Sequence, residues 1–468
     1  MSQGRTGLVI LALAILVLLY FSAGYLLAFI VDVLKNSPII PGVESYEKET
    51  YIGYLKSIPQ IIGVALSILW GILADKIGRR KTMSLMIMFM FTGLAIIPFA
   101  VNYAMLLASF IIFGIGYTGI APIVYAFIAD VLAPEKRGVG YAVYYASSVL
   151  GFIGAYVFYL AVKPWQTTYG VLGVMVLLTG LLLLAVSRGV RIGGAEKTSV
   201  IEFKLSEAVS SFRKPSVIAV LVMIVFWTIP WGMLTTFAID YIMVKWGVSK
   251  NIASLILIVS VVSIAIGHIV GGILSDKAAR KKGPAGRVFI SILGIGIGLP
   301  VMLSMIMYPY PCGNVEWSIV IQPLLLAAFG MMFTTIAYPN ITVVLSDVVR
   351  AEHRGTVFSV YNILNTLGWA IGPLLYPALA YIYMPPDIRA SDLPRLITLY
   401  DPESMRYINS CMSEMAPVRN AYMYSAATIV LLWIISLLIW ITIKITYEKD
   451  RIYNQLSISF RGQHVEHT

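Results

Sequence analysis

The sequence predicts an all-α membrane protein of twelve transmembrane helices arranged as two pseudo-symmetric six-helix bundles. Three observations predict it. Of 468 residues, 59% are hydrophobic and only 12% charged, with mean hydropathy +0.84, too little polarity to cover a water-soluble body of this size. Runs of about 20 apolar residues, the length a helix needs to cross a bilayer, recur along the whole chain. A charged phrase also recurs: "GILADKIGRRK" from Gly71 returns as "GILSDKAARKK" from Gly272.

The first six spans run Gly7–Val33, Tyr51–Ala74, Met83–Tyr103, Ala104–Leu132, Gly138–Val162 and Pro164–Ser187. The first lacks a short signal-peptide core and a small-residue cleavage site, so it reads as a retained helix. The second six run Pro215–Tyr241, Ile252–Ser275, Arg287–Tyr308, Trp317–Val344, Gly355–Tyr383 and Tyr422–Ile445. No long alternating segments call for strands, and helices alone satisfy their own backbone in lipid. The expected organisation is a bundle over 1–187, a cytoplasmic linker over 188–214, a bundle over 215–445 and a polar, mobile tail over 446–468. Within the linker, "VIEFKLSEAVSSF" reads either as an amphipathic helix on the inner membrane surface or as an unstructured tether.

Charge sets the orientation. With both termini in the cytoplasm, the net +11 divides as +12 on the inner side and −1 on the outer, as the positive-inside rule requires. The expectation is a multi-pass protein of the cell membrane. The basic pI is then a topology signal, and nucleic acid is not an expected partner. Cys312 and Cys411 fall in outer loops, where a disulfide and two free thiols both remain open readings.

The repetition extends beyond one phrase. "DVLAPEKRGVGYAVYYASSVLG" from Asp130 aligns with "DVVRAEHRGTVFSVYNILNTLG" from Asp347. Gly24, Leu26, Phe29 and Asp32 align with Gly232, Leu234, Phe237 and Asp240. The three matches fall on helices one and seven, two and eight, and four–five and ten–eleven, in the same order in both halves. Two six-helix repeats in parallel order predict a pseudo-two-fold axis along the membrane normal and a central site between the halves.

On these residues the chain resembles the major facilitator superfamily. "GILADKIGRRK" resembles its signature between helices two and three. "GILSDKAARKK" resembles the equivalent between eight and nine, with Ala279 in place of the central glycine. "PEKRG" and "AEHRG" resemble the acidic-to-RG passages entering helices five and eleven. The resemblance implies a secondary transporter working by alternating access, with a small-molecule substrate, the lipid bilayer and a proton as candidate partners. No cofactor, metal or catalytic residue is expected, nor is an oligomer. It also implies an inner gating latch built from Gly71, Asp75, Arg79, Arg80, Asp130, Arg137, Gly272, Asp276, Asp347 and Arg354. Physically, Asp75 at the inner end of helix two needs a partner, either the positive end of helix eleven near Gly355 or one of Arg79, Arg80 and Arg137. Asp276 would face helix five near Gly138 by the same symmetry, and Gly71 and Gly272 would permit close helix approach. For the basic residues the competing reading is a set of topology determinants on solvated loops.

A central path should be lined by polar and aromatic stripes. Asn362, Asn365, Thr366 and Trp369 follow i, i+3, i+4, i+7 on helix eleven and share one face. Tyr25, Tyr117, Tyr125, Tyr144 and Trp231 are the other cavity candidates, against the alternative of ordinary helix packing. Intramembrane charge is the more telling signal. Asp32, Lys56, Asp240 and His268 are the coupling candidates, with Asp32 expected to meet Lys56 and Asp240 to meet Lys245. Helix four has Phe110 before its "GIG" where drug antiporters often carry Arg, and sugar-porter phrases are lacking, so no subfamily follows. Uniport, proton symport and export of amphipathic compounds stay open, as does a non-transporting receptor. The four histidines form no catalytic constellation, which argues against an enzyme.

Overall fold

A computed structural model describes residues 3–132, 137–188, 210–349 and 354–465. Each of the twelve expected spans holds a helix. In order these are α1 (Gln3–Tyr25), a short α2 (Val31–Lys35), α3 (Ser45–Lys76), α4 (Arg79–Ile96), α5 (Tyr103–Val131), α6 (Arg137–Ala161) and α7 (Trp165–Val186). There follow α8 (Pro215–Trp246), α9 (Lys250–Lys282), α10 (Ala285–Met307), α11 (Trp317–Thr335) and α12 (Tyr338–Val348), then α13 (Arg354–Tyr383). Two single turns, α14 (Pro386–Arg389) and α15 (Leu393–Leu396), precede α16 (Ala416–Val465). The small hairpin β1 (Tyr400–Asp401) and β2 (Arg406–Tyr407) pairs Tyr400 with Tyr407.

Three boundaries depart from expectation for physical reasons. The second span starts at Ser45, because Glu47 Oε2 accepts the free backbone N–H groups of Val43 and Glu44 and caps the helix six residues early. The tenth span is two helices, α11 and α12, parted at Ile336–Ala337 just ahead of Pro339. The tail after Thr446 continues α16 as helix to Val465. Asp450 accepts the Ser216 backbone N–H at 2.8 Å, and the Asn454 amide donates to the Asp347 carbonyl at 3.0 Å. The linker residues 189–209 lie outside the described residues.

The chain forms two compact units. The first comprises Met1–Ser199, Met233–Ser254 and Pro373–Tyr422. In it α4 and α5 touch at glycine: a Cβ on Gly93 would sit 2.4 Å from the Phe113 backbone nitrogen, and one on Gly116 2.6 Å from the Met86 carbonyl oxygen. Small residues at such seams let apolar helices reach van der Waals contact where lipid gives no hydrophobic drive. The second unit comprises Val200–Gly232, Leu255–Gly372 and Met423–Thr468. Gly267 and Gly271 of α9 press on Met332, Thr335 and Ile336. Asn340 donates to Ser275 and Ser291 at 2.8 Å each, a buried amide bridge joining α12 to α9 and α10. Trp227, Trp231 and Trp433 pack as a ring cluster, with the Trp433 indole N–H on the Trp227 carbonyl. Neither cysteine is free; Cys312 and Cys411 are both disulfide-bonded.

Candidate functional site

The most concentrated chemistry among the described residues lies in the first unit, where five charged side chains are removed from water. α1 ends at Tyr25, and Leu26–Phe29 tighten into a 3₁₀ turn before α2. Asp32 and Lys35, three positions apart on α2, are both buried. α8 ends at Trp246, and Gly247, at φ +60°, takes the left-handed conformation that lets the chain reverse into α9. That corner places Asp240, near the end of α8, and Lys250, the first residue of α9, in one buried region.

The acids exchange partners across the repeat. Lys250 Nζ lies 2.7 and 2.9 Å from the two Asp32 oxygens, and also 2.7 Å from the Tyr159 hydroxyl. Lys35 Nζ lies 2.6 Å from Asp240 Oδ2 and also contacts Glu49 Oε1. Asp32 and Asp240 are repeat counterparts, so each takes a lysine from the other half of the sequence. Ser45 donates to Glu49 one turn on, at 3.2 Å, and shares a 2.7 Å bond with the Tyr422 hydroxyl. The β1–β2 hairpin brings a tyrosine to each acid: Tyr400 lies beside Asp32, and Tyr407 donates to Asp240. Asp401 holds the hairpin turn by accepting the backbone N–H groups of Glu403 and Ser404, each at 3.1 Å.

Electrostatics follow from the partners. Burial alone would lower the Lys35 ammonium, but the Asp240 and Glu49 carboxylates outweigh it and hold its pKa above the ordinary lysine value. Burial raises the Tyr400 phenol, and the Asp32 carboxylate adds to it. Three acids face two lysines, an excess of one negative charge if all are ionised. Glu49 Oε2 is buried with no hydrogen-bond partner among the described residues.

The remaining candidates separate. Lys56 does not meet Asp32: it donates to the Gly24 carbonyl at 3.0 Å, with its ammonium 5.8 Å from the Tyr25 ring centroid. Asp32 is claimed by Lys250, and Asp240 by Lys35 rather than Lys245, because those lysines come from turns whose placement only folding fixes. Tyr25 stacks on Phe21, Tyr117 packs 4.1 Å from the Tyr20 ring, and Tyr144 is buried against Phe21. In the second unit Trp231 belongs to the tryptophan cluster. Asn362 is exposed, Asn365 and Trp369 are half-buried, and Thr366 donates to the Asn362 carbonyl at 2.9 Å. His268 stacks on Tyr338 at 5.0 Å.

Of the latch residues, Asp276 pairs with Arg287 at 2.6 Å, half-exposed, a partner in its own half of the sequence. Asp347 accepts from Tyr447, with Arg451 at 4.0 Å. Arg80 Nε donates to the Leu184 carbonyl at 3.0 Å, and Arg79 is half-buried. Gly272 faces open space; the close approach expected there is made by Gly271 and Gly267, which turn toward α11. Gly71 and Asp75 lie on the α3 backbone, while the side chains of Asp75, Tyr125, Asp130, Arg137 and Arg354 lie outside the described residues. Sequence reasoning missed Lys35, Glu49, Lys250, Tyr159, Tyr400 and Tyr407. One signal could have found the lysines: cations on the outer side run against the positive-inside bias and call for acidic partners.

Among the described residues ten helices are long and apolar enough to cross a membrane, which defines a polytopic membrane protein, here with a buried ionic cluster. The Major Facilitator Superfamily family model matches residues 9–373, and the chain belongs to that superfamily. A stretch of 126 residues, 26% of this chain and 18% of its relative, is 31% identical to synaptic vesicle glycoprotein 2B of Mus musculus. The chain spans about a quarter or less of the curated relatives it matches. Among solved structures, the fold is similar to a bacterial homologue of the human lysosomal transporter Spinster, in an inward-facing and unoccupied conformation. The TM-score is 0.77 at 18% identity, covering 96% of this chain and 99% of that one. It is also similar to a D-xylose–proton symporter, with TM-score 0.65 at 16% identity over 91% of this chain and 97% of that one.

Proposed function

We propose that this chain is a secondary transporter that moves a small solute across the cell membrane by alternating access, as a monomer with both termini in the cytoplasm. The division into bundles 1–187 and 215–445, joined by the linker 188–214, is part of this reading. The observation that carries it is the reciprocal exchange of buried ion pairs, Asp32 with Lys250 and Asp240 with Lys35. Each pair joins the outer end of a helix from one half to the other half, so the two act as an outer latch. A buried pair is costly to break one-sidedly yet close to neutral as a whole, which suits an element that must open and close. The inner residues around Asp75 and Asp276 are the opposing latch of the same cycle.

The charge inventory favours a proton as the coupling ion. One acid in excess, with Glu49 Oε2 unbonded, is relieved by one bound proton. Proteoliposomes loaded with solute panels, with and without an inward proton gradient, test the reading. Solute exchange that a gradient accelerates is the expected result; no exchange of any solute under either condition refutes transport. Exchange indifferent to the gradient favours facilitative uniport.

A further inference from the structure

A second feature of the first unit stands apart from the ionic cluster. Lys56, on α3, has no carboxylate partner among the described residues; its contacts are the Gly24 carbonyl and the Tyr25 ring. An ammonium within a membrane-spanning helix is costly and marks a ligand path or a partner. Here the protein supplies one carbonyl for three N–H donors.

The surroundings form a binding cleft. Lys56 lines a pocket, open on one side, among α1, α3 and α5. Gln60, one turn further along α3, lines the same pocket, and its Oε1 is buried without a hydrogen-bond partner. Gln60 therefore brings an open acceptor to this region of the fold. Tyr117 and Thr118 add hydroxyls, while Phe110 and Phe113 supply an apolar wall. Thr118 already donates to the Gly114 carbonyl at 3.2 Å, so its oxygen serves as an acceptor.

We propose that Lys56 forms an anion site that takes a monovalent carboxylate carrying an apolar body, a substrate class for the transport reading on which this inference rests. One cation matches one negative charge. A dianion such as phosphate would leave its second charge against Phe110 and Phe113, where nothing neutralises it. The carboxylate accepts from the Lys56 ammonium, Gln60 Oε1 stays open to an N–H or O–H elsewhere on the ligand, and the aromatic wall receives the rest of the molecule.

The test uses the purified full chain in detergent, followed by tryptophan fluorescence during thermal unfolding. The probes are acetate, butyrate and benzoate, each against its neutral amide, with chloride matched for ionic strength. Saturable stabilisation by at least one carboxylate and none by its amide is expected. Lys56→Met should weaken that response at least tenfold while unfolding at or above the wild-type temperature, since an uncompensated charge has been removed. Lys56→Arg should retain it. Equal responses to carboxylate and amide, an unchanged response in Lys56→Met, or no response to any of the three carboxylates overturns the anion site. Transport is scored separately: neutral-solute exchange in proteoliposomes survives if only the anion site is wrong. Carboxylate binding without exchange of any solute instead sinks the transport reading alone.

Discussion

Removing Lys250 should open the outer latch more than removing any other member of it. Lys250 is the buried counter-ion of Asp32, touching both carboxylate oxygens at 2.7 and 2.9 Å. Lys250→Met leaves the buried Asp32 carboxylate without its cation. Breaking a buried pair on one side costs about 3–5 kcal/mol, which is roughly 150- to 4,000-fold in an equilibrium constant. Applied to a state populated at about 0.1–10%, that shift raises the latch-open form to between about 13% and nearly all of the population. Asp240→Asn should act more weakly, because Lys35 keeps Glu49 and the cluster becomes neutral. The readout is labelling of Ser254→Cys by a membrane-impermeant maleimide. Ser254 is fully buried one turn beyond Lys250, and the native cysteines are oxidised. Faster labelling in Lys250→Met, a smaller gain in Asp240→Asn, and partial recovery in Asp32→Asn/Lys250→Met are expected. Labelling unchanged in Lys250→Met, or an effect of Asp240→Asn equal to it, refutes the reasoning.

Three further outcomes follow from the same geometry. The Lys35 pKa is raised in the folded protein, so its stabilisation is complete below the unfolded lysine value and fades only as pH rises through the folded one. Thermal unfolding in detergent should show no loss attributable to Lys35 between pH 7 and about 10, and a loss above about 10.5 that Lys35→Met lacks. Gly93→Val should lower stability by about 1–3 kcal/mol or abolish folded expression, since a Cβ there meets Phe113 backbone; size-exclusion profile and unfolding temperature report it. Denatured protein should take up maleimide on two thiols after reduction and on none before, as read by intact mass.

The division between what was legible in the chain and what was not has a physical basis. Apolar length, the positive-inside bias and the repeated phrases act locally and additively, and from them follow the twelve helices, the membrane and the superfamily. Asp32 and Asp240 were also visible, because an acid in an apolar helix stands out by itself. Their partners were not. Lys56 and Lys245 were nearer in assumed depth, yet a 3₁₀ turn after α1, the Gly247 corner and the loop after α13 that carries the Tyr400–Tyr407 hairpin decided otherwise. Glu49 was hidden for the same reason: only the Glu47 cap starts α3 early enough to put it beside Lys35.

By itself, then, the sequence determined that this chain lives in lipid as two repeated sets of helices, because hydrophobicity and charge bias are properties of segments. Only the tertiary structure decided which charges neutralise which, because pairing in a low-dielectric interior depends on ångström distances between turns far apart in the chain. The same packing left Lys56 with a carbonyl and a ring in place of the acid it was expected to find.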